Sequence, residues 1–390
     1  MKIIYHHRTL GRGVEGVHIS GVINGLKRLG HEVNEVALSS AMKNRGETGN
    51  GRPRKQAGLL RLFTAHVPNT VFRAAEVLYN LWGAPNMALA LARHRDTDFI
   101  YERYAYFCFS TVLAARTFGV PVILEVNVTT DFKDTRALAF HPMCRAIEQW
   151  VLESSDRIFV VSELLKQALV QRGIAPDKIV VQPNAVEPPP EALSTADPKV
   201  AGLLEQLAGR VVVTFLGRLM TWYQLDRLIG LFAEVHGDHP ESALLLVGDG
   251  PEREPLVGLA RKRGVEDSVI FAGNVAHGEV MVLLQASQIC VIPATNEWTS
   301  PVKLFEYMAS GTAVVAPDFE SISTVMIDGE HGRLFPPGDF DGLKRQLTSL
   351  LADRGTRERM GQSAREHVLR HFTWDHVGRR VVEAYDGIAR

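Results

Sequence analysis

The sequence is poor in cysteine: only Cys108, Cys144 and Cys290 occur in 390 residues, far apart in the chain. An odd, scattered set excludes a disulfide framework and a CxxC metal knuckle, and points to a reducing compartment. No apolar run approaches the ~18 residues of a membrane-spanning helix. Met1 to His7 turns polar too early for a signal peptide, so a cytosolic chain is expected, at most peripheral at the inner face of a membrane. Net charge is also lacking, with 43 basic against 44 acidic side chains and a formal charge of -1. Such a balance offers no global field for a nucleic-acid partner. Absent too are a GxxxxGK[ST] phosphate loop, a GxSxG nucleophile elbow, an HExxH pair and carboxylates clustered at metal spacing, so neither a metal nor a cofactor is expected. His6 and His7 share a strand and point to opposite faces, which gives them no common role.

What the sequence does contain is rhythm. Short β-branched runs alternate with longer amphipathic stretches, the pattern of parallel strands joined by crossover helices. Six strands are expected at Lys2–Tyr5, Val33–Leu38, Asp98–Tyr101, Pro121–Val126, Arg157–Val161 and Ile179–Val181. Six more follow at Val211–Leu216, Ala243–Val247, Val269–Phe271, Ile289–Ile292, Ala313–Ala316 and Arg333–Phe335. Between the sets, Pro183 to Pro198 holds five prolines and reads as a linker. The expected architecture is α/β, with two doubly wound, Rossmann-like domains at residues 1–190 and 191–371. A helical segment over 372–390 could pack on either domain, the N-terminal one included. In such sheets ligands sit outside the carboxyl ends of the strands, which directs attention to the loops there.

Gly11, Gly13 and Gly16 form a GxGxxG pattern after the first strand. A dinucleotide site would want an acidic residue closing the second strand, but Val36-Ala37-Leu38 runs into Ser39-Ser40. The glycines read either as a loop whose N–H groups approach phosphate or as a simple turn.

The segment after the tenth strand is more informative. Ser300 is a good N-cap, Pro301 suits the first helical position, and Gly311 is a plausible stop. Lys303 would then fall at the third position, where a cation opposes the helix dipole by roughly 0.3 to 1 kcal/mol. A bound diphosphate would remove the misfit and accept the N–H groups of the first turn, while Glu306 on the same side would hold a ribose diol. The alternative is an exposed i,i+3 ion pair. Gly217-Arg218 after the seventh strand supplies a second arm, because glycine lets the backbone approach and arginine suits bidentate phosphate contact. From Lys43 to Arg73, seven Lys or Arg stand against Glu47, beside Leu59-Leu60 and Leu62-Phe63. That stretch is either a solvated loop or a patch for an anionic bilayer or lipid-phosphate acceptor.

Taken in order, several motifs resemble the retaining, nucleotide-sugar-dependent glycosyltransferases of the GT-B fold, family four, over nearly the whole chain. They include Leu216-Gly217-Arg218, Val247-Gly248-Asp249-Gly250-Pro251-Glu252, Phe271-Ala272-Gly273-Asn274-Val275 and the Ser300–Gly311 helix. In the first half they are His7-Arg8-Thr9-Leu10, Leu29-Gly30-His31-Glu32-Val33, Tyr101-Glu102-Arg103-Tyr104, Leu124-Glu125-Val126-Asn127, Val161-Ser162 and Gln182-Pro183-Asn184-Ala185-Val186. The resemblance implies a donor site in the second domain, an acceptor site in the first, a cleft closing on both, and no bound metal. It implies that Arg218 and Lys303 neutralise the departing diphosphate and that Glu297 contacts donor-sugar hydroxyls. Glu306, Ser300, Pro301, Val302 and Gly217 would line the nucleotide, with Gly248, Asp249, Asn274 and Val275 bordering the base. The Gly11, Gly13 and Gly16 loop would face the cleft, and His18, Glu125 and Asn127 are the acceptor candidates. Partners would be a nucleotide-sugar donor and a glycan or lipid-linked acceptor.

Three positions depart from the family pattern: Tyr223 stands where a lysine is usual, eight residues rather than seven separate Glu297 from Glu306, and Glu125-Val126-Asn127 replaces a histidine after the fourth strand. A nicotinamide-dependent oxidoreductase using the Gly11–Gly16 loop and a non-catalytic sugar-nucleotide-binding partner are the alternatives.

Overall fold

The computed structural model describes residues 1–9, 13–37, 69–132, 138–190 and 194–388, so Gly11 and the basic stretch before residue 69 lie outside the described residues. The chain divides into two compact units, Met1–Gln182 with Trp374–Arg390, and Pro183–Thr373.

The first unit is built on β1 (Lys2–His7), β2 (Glu32–Ala37), β3 (Phe99–Arg103), β4 (Val122–Val126), β5 (Arg157–Val160) and β6 (Ile179–Val181). All pairings are parallel, in the order β2-β1-β3-β4-β5-β6. Its helices are α1 (Val14–Arg28), α2 (Asn69–Arg93), α3 (Ser110–Phe118), α4 (His141–Ser154), α5 (Glu163–Gln171) and the C-terminal helix Trp374–Asp386. Helix α1 starts at Val14, earlier than the apolar pattern from Val17 suggests, so Gly16 sits in its first turn rather than in a loop. Gly13, at φ 64°, is its N-cap.

The second unit carries α6 (Pro198–Leu207), β7 (Val211–Leu216), α7 (Leu225–Asp238), β8 (Ser242–Val247), α8 (Arg253–Lys262), β9 (Val269–Gly273), α9 (His277–Gln285), β10 (Ile289–Val291), α10 (Val302–Ser310), β11 (Ala313–Pro317), α11 (Glu320–Ser323), β12 (Gly332–Phe335), α12 (Phe340–Ala352) and α13 (Arg354–His371). Its parallel order is β12-β11-β10-β7-β8-β9, with the winding reversing between β7 and β10. The strands read as near-continuous apolar runs because helices cover both faces. Val213 and Phe215 of β7 pack with α7 and α12, whereas Val212 packs with α6 and α9.

The unit boundaries fall at 182/183 and 373/374 instead of 190/191 and 371/372. The cause is local bonding: Val186 N–H donates to Phe372 O at 2.9 Å, and Asn184 N–H to Ser300 Oγ at 3.0 Å. These bonds tie the start of the proline-rich stretch, with Phe372 and Thr373, into the second unit.

The C-terminal helix lies on α1 because α1 presents glycines to it. A Cβ on Gly21 would stand 2.2 Å from the Trp374 ring, and one on Gly25 2.3 Å from the Trp374 carbonyl oxygen. Trp374 is thereby fully buried. The backbone at Gly25 cannot yield as a flexible side chain would, and overpacking typically costs about 1–3 kcal/mol. Gly25→Ala is therefore expected to lower unfolding free energy by that amount in urea titration. Gly202→Ala, at a helical site with nothing within 4 Å, should leave stability unchanged or raise it by up to about 1 kcal/mol.

Candidate functional site

In an open α/β sheet the crevice outside the strand ends opens where the winding reverses. In the second unit that point lies between β7 and β10, so the residues following them are brought together by topology. Gly217 (φ 142°) leaves β7, its N–H held by Val247 O at 2.9 Å. Gly248 (φ 130°) leaves β8, its N–H held by Gly273 O at 2.9 Å. A Cβ on Gly248 would lie 2.1 Å from Gly217 O, so only glycine permits this approach of the two loops.

Helix α10 follows β10 and is buried throughout. Its N-cap is Pro301, not Ser300, and no side chain caps it. Ser300 Oγ is engaged by Asn184 N–H, and Ser300 O accepts from Asn184 Nδ2 at 2.5 Å, so the expected cap is displaced by one residue. Lys303 accordingly occupies the second helical position. Its Nζ is buried without a hydrogen-bond partner and lies 4.2 Å from the Phe215 ring centroid and 3.8 Å from that of Tyr223. A Cβ on Gly217 would come within 2.7 Å of that nitrogen. Burial pulls the Lys303 ammonium down to about 7, against the opposing pull of Glu306. Burial likewise pushes the Glu306 carboxyl up to about 7, against the Lys303 charge. The exposed ion pair weighed from sequence is thus not what the fold builds; both groups are buried. His277 Nδ1, at the start of α9, approaches Glu306 Oε1 to 3.8 Å.

Arg218 is exposed beside this cluster's Gly217, and Glu297 is exposed in the loop between β10 and α10, outside the buried group. Val302 is buried and Pro301 half-buried. A separate depression of 630 Å³ is lined by Asp249, Gly250, Arg253, Phe271, Asn274 and Lys199. Lys199 Nζ donates to Asn274 O at 2.8 Å across it, and Asp249 Oδ1 accepts from Gly250 N–H at 2.8 Å. Val275 is half-buried at the turn that follows.

In the first unit three sequence-selected residues meet at one carboxylate. Glu125 of β4 takes a bond from His18 Nε2 at 2.8 Å through Oε2 and from Asn127 Nδ2 at 2.6 Å through Oε1. Tyr101 OH donates at 3.0 Å, and Arg103 pairs with Oε1. Arg103 stands opposite Glu125 in the β3–β4 register. Burial alone would raise the Glu125 carboxyl, but the charges of His18 and Arg103, with bonds from His18 and Asn127, hold it well below the usual carboxylate range. Trp374 abuts His18 edge-on at 5.0 Å. His6 and His7 have separate partners, as strand alternation requires: His6 Nδ1 meets Glu102 Oε2 at 2.5 Å, and His7 Nε2 meets Glu35 Oε1 at 3.1 Å.

The Glycosyl transferases group 1 family matches residues 205–367, and Glycosyltransferase Family 4 matches residues 13–188. The D-inositol 3-phosphate glycosyltransferase of Stackebrandtia nassauensis is 30% identical over 313 residues, covering 75% of this chain and 69% of that protein. The chain belongs to the family 4, group 1 glycosyltransferases. A glycogen synthase of Mycobacterium tuberculosis is 23% identical over 279 residues, 70% of this chain and 65% of the synthase. Among solved structures, Anabaena HepE in complex with UDP aligns at TM-score 0.69 and 17% identity, covering 99% of this chain and 100% of that one. Sucrose-phosphate synthase from Thermosynechococcus elongatus aligns at 0.70 and 20%, covering 99% and 98%. Both units thus have the Rossmann-like build of the GT-B fold. Family membership, with Gly16 inside α1, sets the oxidoreductase reading aside.

Of the contacts in these clusters, sequence reasoning missed the Tyr223 ring beside the Lys303 ammonium, the approach of His277 to Glu306, and Arg103 as partner of Glu125. The last had a signal, since Arg103 and Glu125 close neighbouring parallel strands and a buried carboxylate needs a cation. Because Glu125 titrates lower folded than unfolded, its stabilisation is complete above the unfolded value of about 4.3 and is lost as pH falls toward the folded one. Urea unfolding from pH 6 down to pH 3.5 should therefore show a steeper acid loss in the wild type than in Glu125→Gln; equal slopes would remove Glu125 from the acid response.

Proposed function

We propose that the protein is a retaining hexosyltransferase that moves a sugar from a nucleoside-diphosphate sugar to a hydroxyl of a glycan or lipid-linked acceptor. The observation carrying this reading is the buried, unpartnered Lys303 ammonium between Gly217 and the α10 start at the β7/β10 switch point. A buried cation without an acceptor has an unmet electrostatic demand, and a diphosphate meets it together with the uncapped N–H groups of α10. Relatives of both halves are glycosyltransferases, and HepE holds UDP and UDP-glucose in its crystal structures, which supports a nucleotide-sugar donor here.

In this reading Arg218 and Lys303 stabilise charge on the leaving diphosphate, Glu306 binds the ribose, and Glu297 contacts the sugar. Ser300, Pro301 and Val302 shape the phosphate side, while Gly248, Asp249, Asn274 and Val275 border the base. The leaving phosphate accepts the acceptor's proton on the face from which it departs, so configuration is retained. His18, Glu125 and Asn127 hold the acceptor in the first unit. Charge neutralisation is assigned to these side chains, without a metal or cofactor.

Donors aimed at developing charge are worth about 2.7–4 kcal/mol each. Arg218→Ala and Lys303→Ala are thus expected to cut kcat about 100- to 1000-fold while remaining folded, and near-wild-type turnover in both would remove the clamp. Calorimetric titration of UDP, GDP, ADP, CDP and NADH should show preference for one nucleoside diphosphate, weakened by Glu306→Ala. Binding of NADH alone, indifferent to Glu306, would overturn the assignment.

No helix among the described residues is long and apolar enough to cross a membrane. Arg73 is buried and paired with Glu76 at 2.8 Å, so contact with a lipid-linked acceptor would instead use the cations of residues 43–61 and the exposed Val71, Leu78, Leu81 and Trp82 of α2. Sedimentation with anionic but not neutral liposomes is the expected result.

A further inference from the structure

Lys303 and Glu306 lie three residues apart on α10, both nine-tenths buried, and burial disfavours the charge on each. The ammonium is faced by ring carbon: Phe215 from the end of β7 at 4.2 Å and Tyr223 from the turn Thr221–Tyr223 at 3.8 Å. No acceptor atom reaches it. Ring faces attract a cation but do not replace its hydration shell, so these rings by themselves resist the charge that a diphosphate requires.

Resting on the donor reading above, we propose that Tyr223 is a positioning residue that, with Phe215, keeps Lys303 dry, and that sugar-nucleotide binding sets the Lys303–Glu306 pair to one shared complement of a single proton. In the complex Lys303 is an ammonium against the diphosphate and Glu306 a carboxylate accepting ribose hydroxyls. Above neutrality the free pair is an amine and a carboxylate, so binding draws one proton from solvent. Below neutrality it is an ammonium and a carboxylic acid, and binding returns one proton to solvent. The linkage therefore changes sign near pH 7.

Few other groups can supply that proton. Burial raises the Tyr223 and Tyr307 phenols, leaving them silent near neutrality. From α13, Arg365 sits at the far end of α10 on the Ala309 carbonyl at 2.7 Å, and β11 presents only apolar side chains. From α9, His277 stands 3.8 Å from Glu306 and is the competitor that the test must exclude, and Glu279 lies in the same first turn.

The test is calorimetric titration of UDP-glucose, GDP-mannose and ADP-glucose at pH 6, 7 and 8 in buffers of differing ionisation enthalpy. Their diphosphates are esterified at both ends and have no proton to exchange in this range. The wild type should take up most of a proton at pH 8, none near pH 7, and release most of one at pH 6. Tyr223→Phe should keep this pattern. Tyr223→Leu should lose the uptake at pH 8, because water reaching the ammonium restores its ordinary pKa. Lys303→Met should lose it as well, which serves if Tyr223→Leu does not fold. Binding weakened by Glu306→Ala but without proton exchange at pH 8, or an exchange that vanishes in His277→Gln, refutes the cradle and leaves the donor reading standing. Failure of all three sugar nucleotides to bind overturns both.

Discussion

Everything in this chain depends on the burial of parallel strands on both faces. A strand such as Val211–Leu216 has no solvent side, so helices must cover the sheet above and below, and polar chemistry is confined to the ends of the strands. At the carboxyl ends in the second unit the backbone is drawn so close that Gly248 tolerates no Cβ beside Gly217 O. The same crowding carries the α10 start against the β7 end. Chemistry at this site is a consequence of how the sheet is covered.

The two units handle buried charge in opposite ways. Glu125 is surrounded by His18, Arg103, Asn127 and Tyr101, and its carboxylate is stabilised in the folded chain itself. Lys303 has two aromatic faces and no acceptor. A satisfied buried network rigidifies its surroundings, whereas a buried cation without an acceptor in the chain leaves an electrostatic demand unmet. That contrast distinguishes a carboxylate fixed by the fold from a cation left without an acceptor more clearly than residue type does. It also accounts for Tyr223, whose phenol ring faces the ammonium across the turn that precedes α7.

Much of the fold was legible in the sequence. All twelve strands lie within two residues of the runs that announce them, because a strand buried on both faces has no alternative to being apolar and the half-exposed β2 still buries Val33 and Ala37 while exposing Glu32 and Glu35. Arg218, Lys303, Glu306 and the glycines of their loops stood out as departures from that pattern at the strand ends. Less legible were the helix boundaries: Ser300 looks like an N-cap, yet its hydroxyl is taken by Asn184, a residue 116 positions away. The division between units shifted for the same reason, through the bond from Val186 to Phe372.

Periodicity, composition and motif order by themselves determined two doubly wound α/β halves and the family they belong to, because hydrophobic spacing is a local property that survives being read along a line. Tertiary structure alone decided the environment of each charge. Whether Lys303 is paired or bare, and whether Glu125 is ionised, depend on groups brought from distant segments into a medium of low dielectric, where a neighbour a few ångströms away outweighs everything adjacent in sequence.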